Sequence, residues 1–133
     1  MKRIYLAGPY SSDNVIGVLN NIGIGIKKAS EILKGGDAVF CPFLGFHYQI
    51  LDQTLTKEDY YRVSMAWLEV SDEVWVLENW EGSTGTQKEI ERANELNIPV
   101  KFLGDVKNDG MLQEIHEVEE FHDIDPENNQ SLV

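Results

Sequence analysis

Val74-Trp75-Val76-Leu77-Glu78-Asn79-Trp80-Glu81-Gly82-Ser83-Thr84-Gly85-Thr86-Gln87-Lys88-Glu89 reads as a strand, a small-residue loop and the first turns of a helix. The apolar run Val74 to Leu77 suits a short buried strand. Beyond the loop, Ile90, Ala93 and Leu96 recur at helical spacing. A strand feeding a helix in this way is the repeating unit of a parallel α/β sheet. The loop also leaves backbone N–H groups where an anionic group can dock. Glu89 would stand just inside the helix, beside the docked ligand.

The same alternation extends outward on both sides. Lys2 to Ala7 is a strand pattern closed by Gly8-Pro9. Ser11, Ser12 or Asp13 can cap the helix that follows. Val15, Val18, Ile22, Ile26, Ala29 and Leu33 then recur at helical spacing, up to a stop at Gly35-Gly36. Gly17, Gly23 and Gly25 weaken that helix by roughly 1 kcal/mol each against Ala, which suggests close backbone packing. Ala38 to Cys41 is a short strand ended by Pro42, and Phe43 to Thr56 is irregular and aromatic. Thr56-Lys57-Glu58-Asp59 resembles a capping box opening a helix through Val63, Trp67 and Val70. Glu73 to Leu77 is the third strand, Thr84 or Thr86 to Asn97 the third helix, and Pro99 to Leu103 the fourth strand.

The pattern predicts an α/β fold: a small Rossmann-like (flavodoxin-like) parallel sheet of four to five strands with helices on both faces. Residues 1–103 form this domain. Residues 104–133 add a linker at 105–110, an amphipathic helix over Met111 to Phe121, and a disordered acidic end from Asp123. Ligands of such sheets sit beyond the carboxyl ends of the strands. Here those ends are Gly8 to Ser11, Pro42-Phe43, Asn79 to Thr86 and Gly104.

The 133-residue chain carries a formal charge of −12. Residues 104–133 hold nine acidic residues against one lysine, net −8, and residues 1–103 hold fourteen against ten basic, net −4. No basic stripe remains to neutralise a nucleic-acid polymer, although a single nucleotide needs only a few donors. No run is long enough for a membrane helix, no signal-peptide pattern opens the chain, and Cys41 is the one cysteine. These features point to a cytoplasmic protein with Cys41 as a small buried residue. No Walker A loop, dinucleotide fingerprint, zinc spacing or nucleophile elbow is present, and His47, His116 and His122 are scattered. Neither a metal nor a cofactor is expected.

Ile4-Tyr5-Leu6-Ala7-Gly8-Pro9-Tyr10-Ser11, Val39-Phe40-Cys41-Pro42 with His47, Met65-Ala66-Trp67-Leu68, Ser71-Asp72-Glu73-Val74, and Gly82 to Glu89 with Ala93 follow in this order. Together they resemble the nucleoside 2-deoxyribosyltransferase superfamily, especially its short bacterial and bacteriophage members. Deoxynucleoside-monophosphate N-glycosidases belong to the same superfamily. The resemblance runs from about Lys2 to Leu103. It implies an enzyme that cleaves or transfers the N-glycosidic bond of a deoxynucleoside or its 5′-monophosphate. The family's glutamate attacks C1′ and forms a covalent deoxyribosyl-enzyme, which a base or water resolves.

That glutamate matches Glu89 in Gly85-Thr86-Gln87-Lys88-Glu89, and the family's first-strand tyrosine matches Tyr5. Gly8 and Pro9 lie in the matching first loop. Ser11, Ser83 and Gly85 match the phosphate-binding donors, and Phe43 to Tyr48, with Phe43 and His47, would cover the base. Trp80 is a further candidate for ligand contact. The resemblance also implies a homodimer or higher homo-oligomer whose sites borrow residues from a neighbour. At the position of the family's usual aspartate, eight residues before Asp72, this chain has Ser64. A serine cannot protonate a departing base. Either another acid serves, such as Asp59 or Glu69, or protonation is dispensable, or the chain binds nucleotides without turning them over.

Plainer roles compete with these. Thr86-x-x-Glu89 is also a capping-box pattern, in which Glu89 would satisfy its own helix start. Tyr5 would by default be a core aromatic, Ser11 a cap, and Ser83 and Gly85 turn residues. Trp67 and Trp75 are expected in the core, His47 in a solvated loop, and Asp72 at the start of the third strand.

Overall fold

The computed structural model describes residues 1–106. Its order is β1 (Arg3–Ala7), α1 (Val15–Lys34), β2 (Ala38–Phe40), a 3-10 turn (Pro42–Gly45), α2 (Phe46–Leu51), α3 (Lys57–Glu69), β3 (Glu73–Val76), a second 3-10 turn (Trp80–Gly82), α4 (Thr84–Glu95), β4 (Val100–Phe102) and α5 (Leu103–Val106). Contacts divide the chain into Met1–Leu103 and Gly104–Val133. The predicted helix over Met111 to Phe121 and the acidic end lie outside the described residues. No helix among the described residues is long and apolar enough to cross a membrane.

The four strands are all parallel, in the order β2-β1-β3-β4. The expected small Rossmann-like sheet is therefore present. Strand periodicity sends alternate residues of β1 to opposite faces. Ile4 and Leu6 pack with Ile22, Ala29 and Ile32 of α1, together with Cys41, Phe43 and Leu77. Tyr5 and Ala7 pack with Val74, Val76, Leu68 of α3 and Ala93 of α4. Helices thus cover both faces, and Tyr5 faces the side shared by α3 and α4. Cys41 is buried, and that burial raises its thiol pKa.

Local chemistry sets the helix starts. Asn14, rather than Ser11, Ser12 or Asp13, caps α1, its side chain accepting from Gly17 N at 2.8 Å. Ser12 instead packs against Gly17. Thr56 and Asp59 form the reciprocal capping box of α3, with bonds of 3.2 and 2.9 Å. The segment expected to be irregular after Phe43 is a 3-10 turn followed by α2. Pro42 supports that start, because its fixed φ suits a first helical position.

The predicted stripe of α1 faces the core only through Val18, Ile22 and Ala29, and that of α3 does not face it. On α1, Val15, Leu33 and Ile26 are exposed, while Gly25 and Ile32 are buried. Phe43 seats against Gly25, so the line of closest approach is set by the residue that has no side chain. On α3, Val63, Trp67 and Val70 are half-exposed, Trp67 by 52%, and the inward row includes Ser64 and Leu68. Trp67 is therefore not a core residue. It stacks on Phe40 at 5.6 Å, and Phe40 stacks on Tyr5 at 5.5 Å. Trp75 is partly buried, bonded to Glu73 at 2.8 Å and capped by Lys101.

The glycines of α1 consequently behave differently. A Cβ at Gly25 would lie 2.4 Å from the Phe43 ring, whereas one at Gly23 would meet nothing within 4 Å. Gly23→Ala should raise stability by about 1 kcal/mol through helix propensity. Gly25→Ala should lower it by about 1–2 kcal/mol, because overpacking outweighs the same gain. Urea unfolding of the two variants checks both signs.

Candidate active site

β1, α3 and α4 each bring one polar side chain to a single point. Tyr5 leaves β1 toward the α3–α4 side and is fully buried, at 0% exposure. Its hydroxyl donates a hydrogen bond to Glu89 Oε2 of α4. Ser64 of α3 neighbours the same phenol closely enough to affect its ionisation. The three residues expected to carry catalysis are therefore together, although Ser64 and Glu89 lie on different helices.

Glu89 does not cap its helix. Ser83 is the N-cap of α4, and its Oγ accepts from Thr86 N at 3.2 Å and from Thr86 Oγ1 at 2.9 Å. Thr86 is buried. With the first turn satisfied by Ser83, Glu89 falls in the second turn and points inward to Tyr5. Desolvation raises its pKa from 4.5 to about 7, partly opposed by the hydrogen bond from Tyr5. Burial, followed by the neighbouring Glu89 charge, pushes the Tyr5 phenol well above its ordinary value. Tyr5 therefore stays neutral and can only donate to the carboxylate. A carboxyl balanced between its two forms near neutral pH can act as a nucleophile or move a proton.

The first loop closes the adjoining rim. Gly8 sits so tightly against Leu77 that a Cβ would fall 2.6 Å from its Cδ1. Pro9 is partly buried and Ser11 is exposed. Asn21 of α1 holds this loop, its side-chain amide donating to Tyr10 O at 3.1 Å and Ser11 O at 3.3 Å. Asn21 escaped the sequence reading. Its signal was a polar residue beside Ile22, on the inner side of an apolar helix. Lys88 and Tyr61 were missed as well. The Lys88 ammonium lies 5.7 Å from the Tyr61 ring centroid, and Tyr61 is close enough to Tyr5 to affect its ionisation.

Other candidates are placed differently. Phe43 is 1% exposed and fills the core against Gly25. Trp80 packs its ring on Phe102 at 5.3 Å. His47 is exposed on α2, and Gly85 is exposed in the first turn of α4. Neither alternative acid stands free. Asp59 accepts from Thr56 and pairs with Arg62 at 3.2 Å, bonds that lower its pKa. Glu69 pairs with Arg92 at 3.0 Å. Asp72 receives the Arg3 backbone N–H at 2.7 Å and so anchors the start of β1 beside β3. No group of three or more metal-ligating side chains occurs among the described residues. A cavity of about 310 Å³ lined by Arg3, Phe40, Trp67 and Val70 does not include the Tyr5–Glu89 pair.

No curated protein matches the chain. A family match covers residues 2–102, which spans every strand and all of the site residues above. The chain accordingly belongs to the family described as a domain of unknown function, DUF4406.

Proposed function

We propose that this protein cleaves or transfers the N-glycosidic bond of a deoxynucleoside or its 5′-monophosphate, with Glu89 as nucleophile. The observation that carries the reading is the meeting of Tyr5, Ser64 and Glu89 around one desolvated carboxyl. The resemblance of these positions to the nucleoside 2-deoxyribosyltransferase superfamily supports the same chemistry. An ionised Glu89 oxygen forms a bond to C1′ as the C1′–N bond breaks, its electron pair leaving with the base. The base takes a proton from water. A second water, or another base, then attacks C1′ and releases the Glu89 carboxylate. Tyr5 orients the carboxylate and spreads its charge, and Ser64 offers a hydroxyl to the sugar. Ser11, Ser83 and Gly85 remain the candidates for a 5′-phosphate. Hydrolysis is favoured over exchange because Ser64 cannot act as the acid.

Incubation with deoxynucleosides and their monophosphates, with and without a second base, tests this. Free base or exchanged product is expected, and its absence with every substrate would overturn the proposal. One observation favours a second reading, a nucleotide-binding module without turnover. The two alternative acids, Asp59 and Glu69, are already held by other partners. Tight nucleotide binding by a sample that releases no base would select it.

Self-association is part of the proposal. The exposed Val15, Leu19, Ile26 and Leu33 on α1 form an apolar row of the kind that marks protein contacts. Sedimentation should give a dimer or larger species, and a monomer at high concentration would contradict it.

A further inference from the structure

Two cations of α4, four residues apart, bridge to α3. Both helices start at the carboxyl rim, because each runs antiparallel to the strands it connects. Deeper in the seam, Arg92 pairs with Glu69 at 3.0 Å. Nearer the rim, the Lys88 ammonium lies 5.7 Å from the centroid of the Tyr61 ring. A cation over an aromatic face is held in place but keeps its full charge. Among the described residues Lys88 forms no ion pair, whereas Lys28, Arg62 and Arg92 each have one. Its sequence neighbour Glu89 is turned to Tyr5 instead. An unneutralised positive charge thus stands at the rim of a domain that is acidic overall.

The position of this charge relative to the candidate nucleophile is informative. Tyr61 is three residues before Ser64 and seven before Leu68, so the three share one row of α3. Leu68 is buried and Tyr61 is 44% exposed, which puts Tyr61 at the open end of that row. Tyr61 is also close enough to the Tyr5 phenol to affect its ionisation. On α4, Lys88 is exposed and immediately precedes Glu89. Helical side chains tilt toward the helix N-terminus. Lys88 therefore leans toward the first turn of α4, where Gly85 lies three residues back on the same face. A deoxynucleoside 5′-monophosphate carries its C1′ and its phosphate on one sugar ring. A nucleophile and a cation on adjacent residues suit that spacing.

We propose that Lys88, steadied by the Tyr61 ring, holds the 5′-phosphate of the substrate and makes the monophosphate the preferred class over the free deoxynucleoside. This rests on the glycosidic reading of Glu89 and adds to it the residue that selects the substrate. Ser11, Ser83 and Gly85 offer only neutral donors, and Lys88 supplies the opposite charge that a phosphate needs. Tyr61 acts through Lys88 and is a positioning residue.

The test is calorimetry of the four common deoxynucleosides and their 5′-monophosphates with Glu89→Gln protein, alone and carrying Lys88→Met, Lys88→Arg, Tyr61→Phe or Tyr61→Leu. Base release from the same compounds is measured with the wild type. At least one base should bind more tightly as the monophosphate than as the nucleoside, by about tenfold or more. Lys88→Met should weaken that monophosphate by about tenfold to a hundredfold and its nucleoside by less than about twofold. Lys88→Arg should restore most of the preference. Tyr61→Phe should keep it, and Tyr61→Leu should lose part of it. Nucleosides that bind as tightly as monophosphates, a preference untouched by Lys88→Met, or equal weakening of both classes would overturn the role of Lys88. Base release by the wild type would then leave the glycosidic reading in place. A preference unchanged in Tyr61→Leu would overturn the part given to Tyr61. A phosphate preference that depends on Lys88, in a protein that releases no base from any compound, would overturn the glycosidic reading and keep the phosphate contact. Neither binding nor base release with any compound would overturn both.

Discussion

On the proposed mechanism, Glu89→Gln should remove glycosidic turnover, by about 10³-fold or more, while the protein stays folded. The amide keeps the shape and the contact with Tyr5 but cannot form the covalent bond to C1′. The pH profile carries the sharper form of this expectation. The nucleophile must be ionised, and the Glu89 pKa is raised to about 7. kcat/KM should therefore fall about tenfold per pH unit below 7 and level off above it. No descending alkaline limb is expected from a protein acid, because Ser64 stands where one would be needed. Tyr5→Phe removes the hydrogen bond that favours the carboxylate. The rising limb should then move to higher pH and kcat should drop. Initial rates from pH 5 to 9 for the wild type and both variants decide the matter. A bell-shaped profile would reveal an acid outside the residues named here, and full activity in Glu89→Gln would remove Glu89 from the reaction.

The same substitution should make the protein more stable at alkaline pH. Glu89 is protonated more readily in the fold, near 7, than in the unfolded chain, near 4.5. The neutral carboxyl is thus the form the fold prefers. Its advantage is fully present below pH 4.5 and is lost as pH rises through 7. Above that, the wild type bears the full cost of an ionised, desolvated carboxylate. A shift of this size corresponds to about 2–3 kcal/mol once the partial exposure of Glu89 is allowed for. Glu89→Gln should therefore match the wild type near pH 4 and exceed it by about 10 °C in Tm at pH 8. Thermal unfolding at the two pH values measures it. An equal Tm difference at both would mean that ionisation of Glu89 is not the cause. On the proposed mechanism, catalysis and stability make opposite demands on this carboxyl.

The order of elements was legible because it rests on local rules. Parallel strands show as short apolar runs, and Gly35-Gly36 and the Thr56–Asp59 box mark helix ends by their own backbone chemistry. The candidate nucleophile was legible from its place after a small-residue loop. The face that α3 buries was not, and that of α1 was only in part. Val63, Trp67 and Val70 carry the better apolar spacing on α3, yet Leu68 and Ser64 turn inward. Phe43 likewise read as a covering aromatic and fills the core instead, since only Gly25 leaves room for its ring.

By itself, the sequence determined the parallel α/β plan, the rim where the loops gather, and the lack of charge suited to a nucleic-acid polymer. These follow from periodicity, capping and composition, which act over a few residues or over the whole chain at once. Only the tertiary structure removed the capping meaning of Thr86-x-x-Glu89. Ser83 takes the capping role, and Tyr5, 84 residues away in sequence, donates its hydroxyl hydrogen bond to Glu89. It also left Tyr60 with a hidden, unpaired hydroxyl. The pKa of a carboxyl and the isolation of a phenol depend on which distant groups arrive beside them, and no local pattern encodes that.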